Sequence, residues 1–233
     1  MVAAKIQLSS AEMALVGDAS WILTKNSIMG KAVALMAELS GEYRAEWEKR
    51  GEKVLPVGGD GDKGDKGGDG DYGGDGDYGG RDPKISRGEN YKGLPYVILD
   101  YPRLFGREDV FAIRTMFWWG HAFHVTLHLK GRYREMFLPV IRRRISMLAA
   151  AGFQVAVSED EWQHELTPDN YRAIGSFPEG MDAWDRGRGQ NDNKGNTFLK
   201  LAAPCPLDKW NEAPAVLLEL YRVLIHVLGD RDR

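Results

Sequence analysis

A stretch of glycine and aspartate in the first half of the chain limits the folds open to it. Residues 58–80 contain twelve Gly and seven Asp but no aliphatic residue, and the hexad Gly-Gly-Asp-Gly-Asp-Tyr is repeated in tandem at 67–72 and 73–78. Such a segment cannot bury enough apolar surface to offset the entropy cost of ordering its backbone. It is predicted to be a disordered insertion in a surface loop, so the folded core must come from the residues on either side.

Deleting residues 58–80 and joining the ends with a short Gly/Ser linker is expected to leave the fold intact. The thermal midpoint should stay within a few degrees of the parent, because a surface segment without apolar contacts contributes little to stability. Thermal unfolding followed by circular dichroism measures this. Loss of cooperative unfolding would show that the segment belongs to the folded core.

Charge and cysteine content bear on location and partners. The net charge is −3, and without residues 58–80 it is +2, so the chain lacks the strongly basic footprint of a nucleic-acid-binding protein. No window approaches the eighteen or so apolar residues of a membrane span. The single cysteine, Cys205, cannot form an internal disulfide and is typical of a reducing compartment. The N-terminus lacks the basic and long apolar regions of a signal peptide. We expect a cytoplasmic protein with no nucleic-acid or membrane partner.

Apolar residues at helical spacing predict three main helices, over 27–50, 133–150 and 212–228. A capping-box pattern at Ser9–Glu12 predicts a short helix that runs to Val16, and a second short helix is predicted at 168–174. The stripes predicted to face the core are Ile28, Ala32, Leu35, Met36, Leu39, Tyr43 and Trp47; Phe137, Val140, Ile141, Leu148 and Ala151; and Val216, Leu217, Leu220, Leu224 and Val227.

Strand patterns follow the insertion. They predict five strands, at 94–101 (ended by Pro102), 110–117, 122–130, 153–158 and 197–202, with a polar loop at 177–196. The order of elements predicts a single α+β domain over residues 1–233. We expect an antiparallel-rich sheet of about five strands with helices packed mainly on one face.

The second and third strands are predicted to form a hairpin joined around Trp118-Trp119-Gly120, with Gly120 at positive φ. A loop with an odd number of residues places Phe111, Ile113, Thr115 and Phe117 on the same face as His121, Phe123, Val125 and Leu127. A two-residue loop would instead place Arg114 and Met116 there. Burial of one face decides register, so the odd loop is favoured. In this register Arg114 lies opposite His124.

Short motifs resemble a known group of proteins. They are the run Tyr91-Lys92-Gly93-Leu94-Pro95-Tyr96 that enters the first predicted strand, the hairpin with Trp119-Gly120-His121, and the order of the later elements. With these motifs the chain resembles the uncharacterised bacterial YktB-like proteins over most of its length outside the insertion. The resemblance implies an α+β fold and a bacterial source. It implies no chemistry.

The hairpin also carries three histidines, but they do not predict a metal site. His124 and His128 are four residues apart on a strand, about 13 Å at roughly 3.3 Å per residue, so they cannot share one ion. His121 is predicted to face away from both. Neither a metal nor another cofactor is expected. Cys205 has no adjacent basic residue to activate it, and the acidic run Ser158–Glu161 is predicted to be solvated.

One group of residues is a candidate binding site. A lone Arg in an apolar strand needs an acceptor, and Arg114 is predicted to share a sheet face with His124 and His128, flanked by Tyr96. Trp118 and Trp119 at the tip must either fold under a loop or form an interface. The first functional hypothesis is a non-enzymatic module that binds a protein or a small anionic ligand through this hairpin. The alternative is an enzyme that binds an anionic substrate with Arg114 and uses His124 or Asp100 as acid or base. An ordinary solvent-facing sheet surface would also explain the pattern.

Overall fold

The computed structural model of the protein describes residues 6–55, 82–175 and 198–230. The predicted insertion at 58–80 and the predicted polar loop at 177–196 lie outside these residues. In the described ranges the chain forms five α-helices and a seven-stranded sheet. No helix in these ranges is both long enough and apolar enough to cross a membrane.

Two helices precede the sheet, α1 (Ser10–Gly17) and α2 (Ala19–Val54). The capping box at the start of α1 is confirmed, since the side chains of Ser9 and Glu12 each accept the backbone N–H of the other. Helix α2 begins well before the predicted residue 27, because Asp18 caps it by accepting the backbone N–H of Ser20. The predicted stripe along α2 faces the core: Ala32, Leu35, Met36, Leu39 and Tyr43 are buried, and Ile28 and Trp47 pack against them.

The predicted second helix is broken into α3 (Arg132–Arg143) and α4 (Ile145–Ala150) at Arg144. It ends as expected at Gly152, which has φ +81° and lets the next backbone N–H groups turn back to the last carbonyl groups of the helix. The last helix, α5 (Ala213–Leu228), ends at Gly229 as predicted. Its buried residues include Leu217, Leu220, Leu224 and Val227.

The sheet is antiparallel throughout, with strand order β1-β2-β3-β4-β7-β5-β6. The strands are β1 (Lys84–Tyr91), β2 (Leu94–Phe105), β3 (Val110–Trp118), β4 (Ala122–Lys130), β5 (Gln154–Ala156), β6 (Tyr171–Ala173) and β7 (Phe198–Pro206), and a 3₁₀ turn (Leu207–Lys209) follows. The α+β class is confirmed, but the expected number of strands was too low. Two strands were missed: β1 at one edge, and β6 in place of the predicted helix at 168–174.

Both missed strands are defined by pairing. Strand β1 alternates half-buried and exposed residues and contains few apolar ones. It joins β2 through a two-residue turn in which Lys92 and Gly93 both have positive φ, as a type I′ hairpin requires.

The prediction that β2 ends at Pro102 was also wrong. The strand runs on to Phe105, with Pro102 at the irregularity between Asp100 and Arg103, where a proline need not donate to the ladder.

The hairpin of β3 and β4 has the predicted faces but a different register. Trp118 pairs with Ala122, so the loop is Trp119-Gly120-His121, and Gly120 has φ +74°. The loop keeps an odd number of residues, so Phe111, Ile113, Phe117, Phe123, Val125 and Leu127 are all in the core as predicted. The expected pair was wrong. Arg114 lies opposite Thr126, and His124 lies opposite Met116.

Helices α2 to α5 lie on one face of the sheet, and the main core lies between these helices and the sheet. At its centre the rings of Tyr43 from α2 and Tyr221 from α5 stack 3.9 Å apart, and the Tyr43 hydroxyl lies 2.9 Å from Thr115 Oγ1 on β3. The opposite face of the sheet carries polar side chains and lies beneath residues 158–165, which connect β5 to β6. We call these residues the covering segment. The candidate functional site lies between this segment and the sheet.

Candidate functional site

Neighbouring strands place the polar side chains of the site in two adjacent rows across the sheet. One row joins Asp100 of β2, Arg114 of β3 and Thr126 of β4 as directly opposite residues. The next row joins His128 of β4 to Lys200 of β7. Because side chains two residues apart on a strand share a face, both rows point toward the covering segment. This group, with His124, is the polar face.

Arg114 and Asp100 form a bidentate ion pair. Nε of Arg114 donates to Oδ1 of Asp100 at 2.7 Å, and Nη2 donates to Oδ2 at 2.9 Å. Both side chains are largely buried, with 18% and 10% of their surface exposed. The third contact of the guanidinium is with His164 of the covering segment, whose Nε2 lies 3.2 Å from Nη1. The acceptor that the lone Arg114 was expected to need is therefore Asp100.

Glu161 attaches the covering segment to β4. Its Oε1 accepts from Nζ of Lys130 at 2.8 Å, and its Oε2 lies 3.1 Å from Nε2 of His128. The prediction that the acidic run Ser158–Glu161 is solvated was wrong for this residue, because two basic side chains of one strand draw its carboxylate toward the sheet. The carboxylates of Asp100 and Glu161 are thus both engaged by protein donors.

Lys200 is the most deeply buried cation of the polar face, with 2% of its surface exposed. Its Nζ donates to the backbone oxygen of Glu161 at 2.9 Å and to that of Gln163 at 2.6 Å. Within the described part of the chain, its ammonium group forms no ion pair with a carboxylate. Burial, and then the positive charge of Arg114, lower the pKa of Lys200 to about 7. The negative charges of Asp160 and Glu161 offset this lowering in part, but neither carboxylate is in direct contact with the ammonium group.

A small cavity of about 10 Å³ separates the polar face from the covering segment. Its lining contains two cations, two imidazoles and a hydroxyl but no carboxylate: Phe105, Ala112, Arg114, Thr126, His128, Trp162, His164 and Lys200. This volume is about that of one water molecule. Trp162 closes the outer side, with its ring 5.6 Å from that of His128 and 51% of its surface exposed.

The three histidines here are held neutral. Burial is the largest cause, reinforced by Lys200 and Arg114; it lowers the pKa of His124 to about 3 and that of His128 to about 4. The pKa of His164 is also well below its ordinary value, for the same reasons. Among the described residues, Nε2 of His124 and Nδ1 of His164 have no hydrogen-bond partner. These two ring nitrogens therefore keep a hydrogen-bonding capacity that the described residues do not use.

The structure brings together only some of the predicted site residues. Arg114 and His128 line the cavity, whereas His124 is buried beside it and bonds through Nδ1 to Thr126 Oγ1 at 3.3 Å. Tyr96 is half-buried and does not line the cavity; it packs near Trp118. Three residues that complete the site were not predicted: Glu161, His164 and Lys200.

The two tryptophans at the hairpin tip do not protrude from the surface. Only 2% of Trp118 is exposed, and its ring stacks on His121 at 3.4 Å and packs edge-on against Tyr91 at 5.1 Å. Trp119 packs against the main core beside Phe117. Of the two alternatives for the tip, the structure has the folded-under one, because the β1–β2 hairpin covers it.

Lys200 carried a sequence signal that was missed. It is a lone charge in the apolar run Phe198–Ala203, the same pattern that singled out Arg114. Glu161 and His164 gave no comparable signal, because they lie in a polar connecting segment. Their roles depend on where that segment crosses the sheet.

In the described ranges no group of three or more His, Cys, Asp or Glu side chains is placed to hold a metal ion. Comparisons with family models, curated proteins and solved structures return no match. Function must therefore be inferred from the geometry of the site.

Proposed function

We propose that the protein is a binding module for a small anionic group, such as a carboxylate or a phosphate, at the cavity between the polar face and the covering segment. The observation that carries the proposal is the cavity lining, in which Arg114 and Lys200 lie with two imidazoles and no carboxylate. Cationic and N–H donor groups are what proteins use to bind carboxylate and phosphate groups.

Lys200 provides the main electrostatic reason. A buried ammonium without a paired anion is unfavourable, which is why its pKa is lowered to about 7. An ammonium group has three N–H donors, and two of them are used by backbone oxygens of the covering segment. A bound anion would receive the third donor and give Lys200 a direct ion-pair partner. Binding should therefore tighten as the pH falls through 7 and Lys200 becomes charged.

The cavity size limits how a ligand enters. With room for about one water molecule, the site as it stands admits only a single ligand atom. A carboxylate or phosphate group requires Trp162 to move outward. The half-exposed indole of Trp162 makes that movement less costly than displacement of a fully buried ring.

Binding is favoured over catalysis because neither of the expected acid and base groups, Asp100 and His124, is available to a ligand in the cavity. Both oxygens of Asp100 accept hydrogen bonds from Arg114. His124 lies outside the cavity lining, and its pKa of about 3 keeps it neutral at physiological pH. Neither residue is free to exchange a proton with a ligand in the cavity.

Titration calorimetry with inorganic phosphate and with acetate tests the proposal. Lys200→Met is expected to weaken binding of the preferred anion at least tenfold, whereas Lys209→Met, which removes an exposed lysine beyond β7, should leave it unchanged. Equal affinity of the Lys200→Met variant, or no binding of either anion by the parent protein between pH 6 and 7, would contradict the proposal.

The proposal also covers the source and the cellular location of the protein. We propose a bacterial, cytoplasmic protein, on the basis of the resemblance to YktB-like proteins and the absence of a second cysteine from the sequence. The one cysteine, Cys205, is buried, and burial is the main cause of its raised thiol pKa, so a reactive role for it is not part of the proposal.

A further inference from the structure

The N-terminal arm, residues 6–23, exposes an unusual amount of apolar surface. Twelve large hydrophobic residues in the described ranges are exposed, and eight of them lie in this arm: Ile6, Leu8, Met13, Leu15, Val16, Trp21, Ile22 and Leu23. Helix α1 has no buried residue at all. The other four, Ile85, Phe105, Met136 and Trp162, lie on separate elements. A concentrated exposed patch of this kind marks an interaction surface.

The pattern within the arm argues for a protein partner. Met13 and Val16 are three residues apart and share one side of α1, whereas Leu15 lies on another side. The helix is therefore apolar on more than one side, and a helix with that pattern is normally buried. A helix that lies on a membrane surface has instead one apolar face and a cationic opposite face. The arm contains no Lys or Arg between residues 6 and 23. A surface of anionic lipid is therefore a poor match.

The charged side chains of the arm are compatible with a second copy of the chain as the partner. The charged side chains of residues 6–23 are Glu12 and Asp18. Each is bonded at the start of a helix, Glu12 to the backbone N–H of Ser9 and Asp18 to that of Ser20, where the helix dipole favours negative charge. Two arms can therefore meet without an uncompensated charge at the contact.

The exposed apolar surface is also extensive. The eight apolar residues of the arm are each between 41% and 89% exposed, and an interface of standard size draws on roughly 800 Å² of each partner. Homodimer interfaces are more apolar than the rest of a protein surface, and most are two-fold symmetric, with the same patch on both copies. We propose that the protein forms a homodimer in which the N-terminal arms of two chains pack against each other.

Light scattering after size-exclusion chromatography tests the proposal at several protein concentrations. The parent protein should have twice the mass of the chain. Trp21→Glu and Leu23→Glu should each weaken the dimer at least tenfold, whereas Met136→Glu, at an exposed apolar residue of α3, should leave it intact. A monomeric parent, or a dimer that persists in both arm variants, would overturn the proposal. So would flotation of a monomeric parent with neutral or anionic vesicles, which would assign the arm to a lipid surface.

A second measurement locates the interface without introducing a charge into the arm. Cys205 is buried, so Leu15→Cys provides one accessible thiol for a spin label. A short distance between the two labels is expected in the dimer, and a longer one for the label at Met136→Cys. A dimer in which the Leu15 labels are the farther pair would show that another surface forms the interface.

Discussion

Replacement of Arg114 by alanine is expected to lower the free energy of unfolding by about 3–5 kcal/mol, the usual cost of leaving one member of a buried ion pair without its partner. The Asp100 carboxylate would lose both of its donors from Arg114 while staying largely buried. Denaturant unfolding monitored by circular dichroism measures the change.

The matched control is Arg44→Ala. Arg44 forms an ion pair of similar length with Asp82, at 2.9 Å, but 51% and 68% of the two side chains are exposed, so a loss of only about 0–1 kcal/mol is expected. The double variant Arg114→Met/Asp100→Leu should recover much of the stability, because neither charge is then buried. Equal effects of the two arginine variants would mean that water reaches the Arg114 pair freely.

Acidification from pH 7 to pH 4 is expected to destabilise the protein by several kcal/mol. The folded state holds His124 at a pKa of about 3 and His128 at about 4, against 6.5 for an unperturbed histidine, and the pKa of His164 is lowered as well. Below pH 6.5 the unfolded chain binds protons that the folded protein does not, so stability falls as the pH falls. Each unit of pKa difference corresponds to about 1.4 kcal/mol.

Lys200 extends the same trend above neutral pH. Its pKa is lowered from 10.5 to about 7, so between these values the unfolded chain again holds the extra proton and stability rises with pH. Denaturant unfolding at a series of pH values measures both effects. His124→Gln should reduce the slope of the unfolding free energy against pH below neutrality, by the equivalent of up to one bound proton. His226→Gln, at an exposed position of α5, should leave that slope unchanged. A flat profile between pH 4 and 7 would show that the histidines are solvated.

The residues that line the core were predicted from sequence because periodicity is a local property. The helix stripes around Tyr43 and Leu224 were correctly placed in the core, and so was the apolar face of β3 and β4. The sequence pattern specified which face is buried, but not which residues lie opposite. The pairing differed from the prediction by two residues because Trp118 extends β3, and a shift of two leaves every side chain on the same face.

Strands with weak apolar patterns could not be predicted in this way. Strand β1 lies at the edge of the sheet and β6 has three residues, of which only Tyr171 is buried. Both exist because a neighbouring strand offers hydrogen-bond partners, and the pairing partner of β6 lies some seventeen residues away in sequence, in β5. Edge pairing of this kind leaves little trace in hydrophobic pattern.

The sequence by itself determined the α+β class, the helices of the core and the two faces of the central hairpin. It also predicted that Arg114, a lone charge in an apolar strand, needs an acceptor. Only the tertiary structure decided that Asp100 is that acceptor, that Trp118 is buried, and that Lys200, Glu161 and His164 complete the site. These residues come from a late strand and a connecting segment, and they meet because β7 pairs with β4 and the covering segment crosses the sheet. The hydrophobic pattern of one segment indicates which of its residues are buried. Contacts between distant segments depend instead on strand order, which no single segment specifies.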